Sequence, residues 1–317
     1  MTTVCASAHP NIALVKYWGK QDLPGNLPAV PSLSITLDKL TATTQVSEAK
    51  DDAFTLNGKM LAGAQQDQKL ARFLNYFRKH YDIPKVHIES DNNFPTAAGL
   101  ASSAAGFAAL VTALDKLFEL RLNDRQKSAL ARAGSASAAR SILGGFVGLT
   151  GPEYEAEQIN DAAHWPLHVV VAITDTAEKS VSSTKGMTIS AQTSPYYPAW
   201  VSSANTDYDA ARLAVTNKDF SELAQIAEHS CLKMHAVMQS SQPPLLYWNA
   251  ASVACMQIVK TLREAGEEVF FTMDAGPQVK AVCTQGSADE VNQALAAVPG
   301  VIRTETVALG AAAEIVT

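Results

Sequence analysis

The chain has 317 residues, of which 47% are hydrophobic and 18% are charged, and its formal net charge is −6. Such a composition is typical of a globular protein with a sizeable core, divided into one large or two modest domains. The negative charge argues against nucleic-acid or membrane-surface binding as a main role, and no apolar run is long enough to span a bilayer. We therefore expect neither a nucleic-acid nor a membrane partner.

The N-terminal residues and the cysteines indicate a cytoplasmic protein. No basic region followed by an apolar stretch opens the sequence, so no signal peptide is expected. The cysteines are scattered without metal-type spacing, and we expect reduced thiols at Cys5, Cys231, Cys255 and Cys283.

Strands and helices are mixed in the first half of the chain. Residues 34–37 and 41–46 alternate in polarity as strands do, and the Asn57-Gly58 pair within residues 54–60 predicts a tight hairpin. A helix follows, because four apolar side chains recur at helical spacing: Leu70, Phe73, Leu74 and Phe77.

A strand over residues 86–89 should lead into a loop and then a long helix. The buried stripe of that helix is expected to comprise Phe107, Leu110, Val111, Leu114, Leu117 and Phe118. Asp124 can cap another helix that runs toward Arg140, and residues 168–174 are predicted to form a buried strand.

The second half has a different order of elements. Helices are predicted over about residues 206–216, 219–237 and 246–265, with Gly266 as a C-terminal stop. Strands are predicted over about residues 268–273, 279–284 and 301–307, and Ser287-x-x-Glu290 is a capping box for a helix that ends at Ala297. This order predicts an α+β layer with helices on one face of a sheet. We place the domain boundary near residue 184, which gives domains of residues 1–184 and 185–317.

Residues 94–107 are the most informative segment of the sequence. Pro95 restricts the residue before it to an extended shape, and the small residues 97–99 let a ligand approach the backbone closely. The helix that follows opens with free N–H groups, the positive end of its dipole and the hydroxyls of Ser102 and Ser103. This arrangement predicts an anion site, most naturally for phosphate; the alternative is an ordinary helix start with small residues for close packing.

Three further clusters contain polar groups of the kinds that bind anionic ligands or act in catalysis. Asn11 to Lys20 contain an amide, two lysines, a phenol and an indole. A strand edge with solvated lysines explains the lysines well, but it does not explain Tyr17-Trp18-Gly19 beside them. Small residues over 135–141 surround Arg140, whose planar guanidinium either grips a carboxylate or phosphate or pairs with a surface acid. Asp274 follows an apolar strand in a turn, where burial would raise its pKa and a nearby lysine would lower it. Taken alone, Asp-x-Gly-Pro favours a simple turn.

A polar loop is expected over residues 182–186, at the proposed domain boundary. It either reaches across a cleft or only links the two domains.

The segment Pro95-x-x-x-Gly99-Leu100-x-Ser102-Ser103 resembles the phosphate loop of the GHMP small-molecule kinase superfamily. Neither of the two common nucleotide signatures, Gly-x-x-x-x-Gly-Lys-Ser/Thr and Gly-x-Gly-x-x-Gly, is present. The resemblance suggests ATP and a small substrate.

In combination, the clusters resemble one family of that superfamily, the diphosphomevalonate decarboxylases. The matching segments are Asn11 to Lys20, residues 95–103, 135–140 and 181–183, and Phe271 to Pro277, in the same order and at similar spacing. The resemblance implies a two-domain GHMP-kinase-like α+β fold, in which an N-terminal domain like domain 2 of ribosomal protein S5 and a C-terminal ferredoxin-like α/β sandwich enclose the active site. It also implies a homodimer that uses ATP and Mg²⁺ to convert mevalonate 5-diphosphate to isopentenyl diphosphate in the mevalonate pathway.

The resemblance further implies roles for individual residues. Asp274 would act as the catalytic acid/base group, and Lys16 would pair with it and hold it ionised. The implied nucleotide contacts are Ser90, Pro95, Ala98, Gly99, Leu100, Ala101, Ser102 and Ser103, and Ser103 is also the candidate metal ligand. The implied substrate contacts are Asn11, Tyr17, Lys20, Ser135, Arg140, Ser183 and Lys185.

One departure from the family pattern keeps the length of the phosphate tail open. Thr184-Lys185 stands where several bacterial relatives have an arginine, and a lysine lacks the fork of a guanidinium. The alternatives are a phosphomevalonate decarboxylase, an enzyme that phosphorylates the 3-hydroxyl without decarboxylation, and a non-catalytic ligand-binding regulator. The presence of Lys16, Ser103 and Asp274 argues against the regulator.

Overall fold

A computed structural model of the chain describes residues 2–21, 25–61, 68–94, 102–177 and 180–316. Its strands are Thr3–Ala8 (β1), Asn11–Val15 (β2), Ser32–Thr36 (β3), Ala42–Glu48 (β4), Ala53–Leu56 (β5), Lys59–Leu61 (β6), Val86–Asn92 (β7), Phe146–Thr150 (β8), Glu155–Asn160 (β9), His168–Ile173 (β10), Val269–Thr272 (β11), Val279–Cys283 (β12), Arg303–Ala308 (β13) and Glu314–Val316 (β14). Its α-helices are Gln68–Arg78 (α1), Ser102–Leu117 (α2), Asp124–Gly134 (α3), Ser183–Thr193 (α4), Tyr197–Asn217 (α5), Phe220–Gln239 (α6), Ala250–Glu264 (α7) and Ala288–Ala296 (α8). Within these described ranges, no helix combines the length and the apolar character needed to cross a bilayer.

The first sheet has the strand order β14-β1-β4-β7-β5-β6 and packs against helices α1, α2 and α3. The predicted apolar stripe of α1 is confirmed, because Leu70, Phe73, Leu74 and Phe77 are all buried in this core. The predicted hairpin is also confirmed: Asn57 and Gly58, both with positive φ, connect β5 to β6.

The other two sheets share one core, which joins the two halves of the chain. Their strand orders are β2-β3-β8-β9 and β11-β12-β10-β13, and helices α5 and α6 contribute to the core between them. Alternate residues of β10 face this core, while Val170 and Ala172 face a second core under α7 and α8. Burial on both faces explains why β10 is a continuous apolar run rather than an alternating one.

Three strand pairings cross the expected domain boundary at residue 184. Strand β10, which precedes it, pairs with β12 and β13, and strand β14, near the end of the chain, pairs with β1. The division into residues 1–184 and 185–317 therefore stays a prediction. The sequence did not predict these pairings, because strand partners that are distant in the sequence leave no local signal.

Several predicted helix boundaries were wrong, and the largest error is at α5, which begins at Tyr197 rather than near residue 206. Asn123, not Asp124, caps α3, because its side chain accepts from the Gln126 N–H while the Gln126 side chain bonds back to the Asn123 N–H. The helix ends at Gly134, and a 3₁₀ helix then carries Arg140. The prediction missed this break because small residues suit both kinds of helix.

Two other local predictions also need correction. Residues 182–186 are not a loop, since Ser182 caps α4 and the helix begins at Ser183. Ser287 makes no cap hydrogen bond to α8; its hydroxyl instead accepts from the Glu268 N–H at 3.2 Å. The Ser287 hydroxyl therefore bonds to a residue that precedes it by 19 positions rather than to the helix that follows it.

Candidate active site

A cleft of about 1150 Å³ lies between the first sheet with its helices and the C-terminal half of the chain. Eleven of the predicted site residues line it: Asn11, Tyr17, Lys20, Ser90, Ser102, Ser103, Ser135, Arg140, Ser183, Lys185 and Asp274. The side chain of Lys16 is only 1% exposed and lies against Asp274. The remaining predicted residues, Pro95, Ala98, Gly99, Leu100 and Ala101, lie outside the described residues.

The charge of the cleft is opposite to that of the whole chain. Its described lining includes one acidic side chain, Asp274, and six basic ones: Lys20, Lys69, Arg72, Lys79, Arg140 and Lys185. Because the chain as a whole carries a formal charge of −6, this concentration of cations marks the cleft as a site for anionic ligands.

Asp274 and Lys16 meet where two sheet edges come together. Strand β2 is an edge of the second sheet and β11 is an edge of the third, and Thr272 of β11 donates from Oγ1 to the Ala13 carbonyl of β2 at 3.3 Å. Lys16 follows β2 and donates from Nζ to the same carbonyl at 2.8 Å. Asp274 follows β11, so this edge contact brings the two side chains together.

The Asp274 carboxylate is held by two lysines. Lys16 Nζ lies 2.8 Å from Oδ1, and Lys280 Nζ lies 3.3 Å from Oδ2. Burial raises the pKa of Asp274, but the attraction of the two ammonium groups is stronger, and the pKa lies well below its usual range. With its side chain 27% exposed, Asp274 presents an ionised hydrogen-bond acceptor to the cleft.

The turn that carries Asp274 is anchored at its far end. The Gly276 N–H donates to the Asp274 carbonyl at 2.8 Å. The Pro277 carbonyl accepts from Ser252 Oγ at 2.6 Å and from Thr174 Oγ1 at 3.0 Å. These bonds fix the backbone of the turn and so limit the positions that the carboxylate adopts.

Arg140 sits in a buried polar cage. Its guanidinium donates to Ser32 Oγ at 2.7 Å, to Ser34 Oγ at 2.9 Å and to Asn11 Oδ1 at 2.9 Å. Burial lowers the pKa of Arg140 to about 10, against the opposing effect of Asp274 and Tyr17, so the group is charged at neutral pH. Asn11 is oriented in turn, because its amide nitrogen donates to Ser137 O and Ser141 Oγ.

The segment from Tyr17 to Lys20 is shaped by close packing. Gly19 has a φ of +112°, a backbone conformation that residues with a side chain rarely adopt, and a Cβ there would also clash with the Tyr197 hydroxyl. The buried Tyr17 hydroxyl has no hydrogen-bond partner among the described residues, and burial raises its pKa. It therefore remains protonated and can donate to a ligand in the cleft.

Two helices begin at the cleft. Ser102 and Ser103 open α2, and Ser103 Oγ lies 3.3 Å from Ser135 Oγ. Ser183 and Lys185 lie in the first turn of α4. The helix starts add backbone N–H groups and positive dipole ends to the basic side chains, as phosphate sites do.

One lobe of the cleft is apolar. Its lining includes Phe54, Leu56, Leu70, Ile88, Phe107 and Leu110, which come from the first sheet and its helices. At its polar border, Ser90 Oγ lies 3.0 Å from Thr44 Oγ1. A flat apolar ring with polar edges fits such a surface.

Sequence reasoning missed several cations of the site. Lys69 and Arg72 line the cleft from α1, outside the buried stripe of that helix, and Lys79 lines it from just beyond the end of the helix. The same periodicity that predicted the stripe therefore contained the signal for Lys69 and Arg72. Lys280 was missed as well, although a lysine within a predicted buried strand requires an acidic partner.

The described residues contain no group of three His, Cys, Asp or Glu side chains able to hold a metal ion. A metal in this cleft would therefore take its protein ligands from isolated hydroxyls such as Ser103, with bound phosphates and water completing the set. This donor set suits Mg²⁺, which keeps several waters and binds through substrate phosphates.

Comparisons with known proteins agree along the whole chain. Residues 8–159 match the model of the diphosphomevalonate decarboxylase-like N-terminal domain, and residues 169–311 match that of the mevalonate 5-diphosphate decarboxylase C-terminal domain. The chain belongs to the diphosphomevalonate decarboxylase family. The diphosphomevalonate decarboxylase of Candida albicans is 35% identical over 92% of this chain and 87% of its own length.

Solved structures of the diphosphomevalonate decarboxylase family share the fold. The Staphylococcus aureus mevalonate diphosphate decarboxylase is 34% identical, with a TM-score of 0.91 over 99% of this chain and 98% of its own. A structure named MDDEF, in complex with MVAPP, AMPPCP and magnesium, is 35% identical, with a TM-score of 0.90 over 99% of both chains. The predicted family, the GHMP-kinase-like α+β fold and the decarboxylase activity are thereby confirmed, whereas the roles of individual residues stay predictions.

Replacement of Asp274 by asparagine should remove a pH-dependent contribution to stability. The folded-state pKa of Asp274 lies below the value of about 3.9 for an unfolded aspartate, so the ionised group stabilises the fold above that pH. The contribution is lost as the pH falls through the folded-state pKa. The difference in urea-unfolding free energy between wild type and Asp274→Asn should therefore be largest near neutral pH and narrow below about pH 4.

Asp209→Asn, which removes an exposed carboxylate from α5, is the matched control. A difference for Asp274→Asn that widens in acid would contradict the assignment of an ionised, lysine-paired carboxylate.

Proposed function

We propose that the cleft carries out the ATP-dependent decarboxylation of mevalonate 5-diphosphate to isopentenyl diphosphate, with Asp274 and Lys16 at its catalytic centre. Family membership supports the reaction. The observation that carries the assignment of the site is one lysine-paired carboxylate that faces an otherwise basic cleft.

Asp274 would orient the tertiary 3-hydroxyl of the substrate and accept its proton. Its low pKa makes it a weak base, so the proton would move only as the hydroxyl oxygen bonds to the γ-phosphorus of ATP. Phosphorylation converts hydroxide, a poor leaving group, into phosphate. Departure of phosphate develops positive charge on the tertiary carbon, and loss of CO₂ supplies the electron pair that forms the alkene.

Different side chains of the cleft would bind different parts of the substrate. Arg140 and Ser183 would hold the carboxylate, and the cage around Arg140 favours a fixed guanidinium because its protein partners leave it little freedom. Tyr17, Lys20 and Ser135 would bind the phosphate tail. The tail would thus lie between the start of α4 and the segment that follows β2.

The apolar lobe is suited to the adenine base and the start of α2 to the phosphates. Ser90, Ser102 and Ser103, together with residues 95–101, would form the nucleotide site. Mg²⁺, when bound, would offset the charge on the ATP phosphates, and Ser103 is its proposed protein ligand.

The presence of a lysine at position 185 favours a second candidate function. It lies exposed in the first turn of α4, where it supplies a point charge rather than a guanidinium fork. A point charge also suits a monophosphate tail, so the second candidate is decarboxylation of 5-phosphomevalonate.

We also infer a cytoplasmic homodimer with domains of residues 1–184 and 185–317. The cytoplasmic location is supported by the cysteines, because all four are free and three of them are buried in apolar surroundings. The dimer is inferred from the family resemblance, and sedimentation of the purified chain would test it.

The substrate assignment is tested by product analysis with both substrates. Purified protein with ATP and Mg²⁺ should release CO₂ from mevalonate 5-diphosphate with a higher kcat/KM than from 5-phosphomevalonate. The reverse preference would establish the second candidate. Formation of ADP without CO₂ would indicate a 3-kinase, and no turnover of either substrate would favour a ligand-binding regulator.

Asp274→Asn should lower kcat at least about a hundredfold, the usual scale for an acid–base group. Asparagine keeps the size of the side chain but removes its charge and its ability to accept a proton. Steady-state kinetics and circular dichroism on the same preparation separate loss of chemistry from loss of fold. A near-normal rate would remove Asp274 from the mechanism.

Lys20→Ala should raise KM by about tenfold to a hundredfold, the range for one lost charged hydrogen bond, with little change in kcat. Lys20 lies at the tail end of the cleft, where its Nζ donates to Asn26 Oδ1 at 2.9 Å. Lys50→Ala removes an exposed lysine from the same half of the chain and serves as the control. A fall in kcat without a change in KM would place Lys20 in the chemistry instead.

A further inference from the structure

Lys280 carries a charge that the proposed reaction does not yet use. The residue lies in β12, its side chain is fully buried, and it is not part of the cleft lining. Burial of an ammonium group is costly unless an opposite charge compensates it. The compensating group is Asp274, whose Oδ2 lies 3.3 Å from Lys280 Nζ.

We infer that Lys280 is a positioning residue for the proposed reaction: it holds Oδ2 of Asp274 while Lys16 holds Oδ1, so that the carboxylate meets the substrate hydroxyl in one orientation. The inference rests on the proposed function, since it assigns Lys280 a role in the same site.

The geometry explains why one lysine is not enough. A carboxylate held at a single oxygen can still rotate about its Cβ–Cγ bond, whereas a carboxylate held at both oxygens has a fixed plane. The two lysines also belong to different sheets, because Lys16 follows β2 and Lys280 lies in β12. Asp274 therefore depends for its orientation on both sheets that enclose the shared core.

The other titratable groups around Asp274 do not replace Lys280. Helix α6 contributes Cys231, whose pKa is raised by burial, and His235, whose pKa is lowered by burial to about 3. Both are neutral at physiological pH. Tyr17 is neutral as well, so the cations that act on Asp274 are Lys16, Lys280 and the more distant Arg140.

Lys280→Met tests the role, because methionine fills a similar volume without charge. We expect kcat to fall about tenfold, which corresponds to one pKa unit of lost electrostatic interaction, while KM stays unchanged because Lys280 does not line the cleft. Lys260→Met, which removes a lysine that is 69% exposed on α7, is the matched control. An unchanged kcat in Lys280→Met would overturn the inference.

A double-mutant cycle separates positioning from a general loss of structure. If Lys280 acts through Asp274, then Lys280→Met should have no further effect on kcat in the Asp274→Asn background. If its effect is the same in both backgrounds, Lys280 supports the fold rather than the carboxylate, and the inference fails.

A third measurement does not depend on turnover. The Asp274 carboxyl carbon, assigned by its absence from the Asp274→Asn spectrum, can be followed by ¹³C NMR through an acid titration of the ligand-free protein. Loss of Lys280 should move its titration to higher pH, because one of its two close cations is gone. Identical titration curves for wild type and Lys280→Met would overturn the inference, even if the wild type decarboxylated mevalonate 5-diphosphate. A shifted curve for Lys280→Met, combined with a wild type that turns over no substrate, would overturn the proposed function alone.

Discussion

The ion pair between Lys16 and Asp274 depends on a contact between two sheet edges, and the cleft is organised around it. Neither residue is placed by its own strand alone: β2 ends in a register shift between Ala13 and Val15, and β11 ends in an anchored turn. The Ala13 carbonyl accepts from both Lys16 and Thr272, so the backbone of one sheet fixes groups that belong to both. A mutation that loosens this edge would therefore disturb the charge in the cleft as well as the packing.

The charge states of the ionisable groups at the cleft result from burial combined with ion pairs and hydrogen bonds. Arg140 and Lys280 are almost fully buried, and each is tolerated because polar partners surround it. Asp274 stays ionised although it is largely enclosed, since two ammonium groups outweigh the cost of its desolvation. Groups whose polar atoms are already bonded to the protein need little reorganisation when a ligand binds, which is the property that favours catalysis of charge-developing steps.

Periodicity in the sequence was sufficient to predict much of the local structure. The stripe from Leu70 to Phe77 and the Asn57-Gly58 turn were predicted correctly because their signals are local. The start of α4 was missed, since Ser182 to Gly186 combine small and polar residues that suit a loop as well as a helix start. For strand β10 the extended conformation was predictable, but its partners β12 and β13 were not, because pairing is decided by contacts far apart in the sequence.

Most residues of the site were predicted from the resemblance to family motifs rather than from the properties of each residue alone. Spacing alone left Asp274 as an ordinary turn residue, and only the resemblance linked it to Lys16, at a separation of 2.8 Å in the fold. Lys280 shows the limit of motif reasoning, because it lies outside the matched segments and its function depends on which residue a buried strand faces. Lys69 and Arg72 show the opposite case, because the helical period that predicted the buried stripe of α1 also places these two residues outside it.

The pairing of β14 with β1 has a consequence for the way the polypeptide is made. Cys5 and Val316 are register partners, so one border of the first sheet consists of segments from opposite ends of the chain. Because β14 is made long after β1, that border of β1 stays unpaired until β14 has left the ribosome, and an unpaired strand border is a site for association with other chains. Synthesis of β14 is thus the step that covers this border of β1, and a truncation that removes Glu314 to Val316 would leave the border exposed.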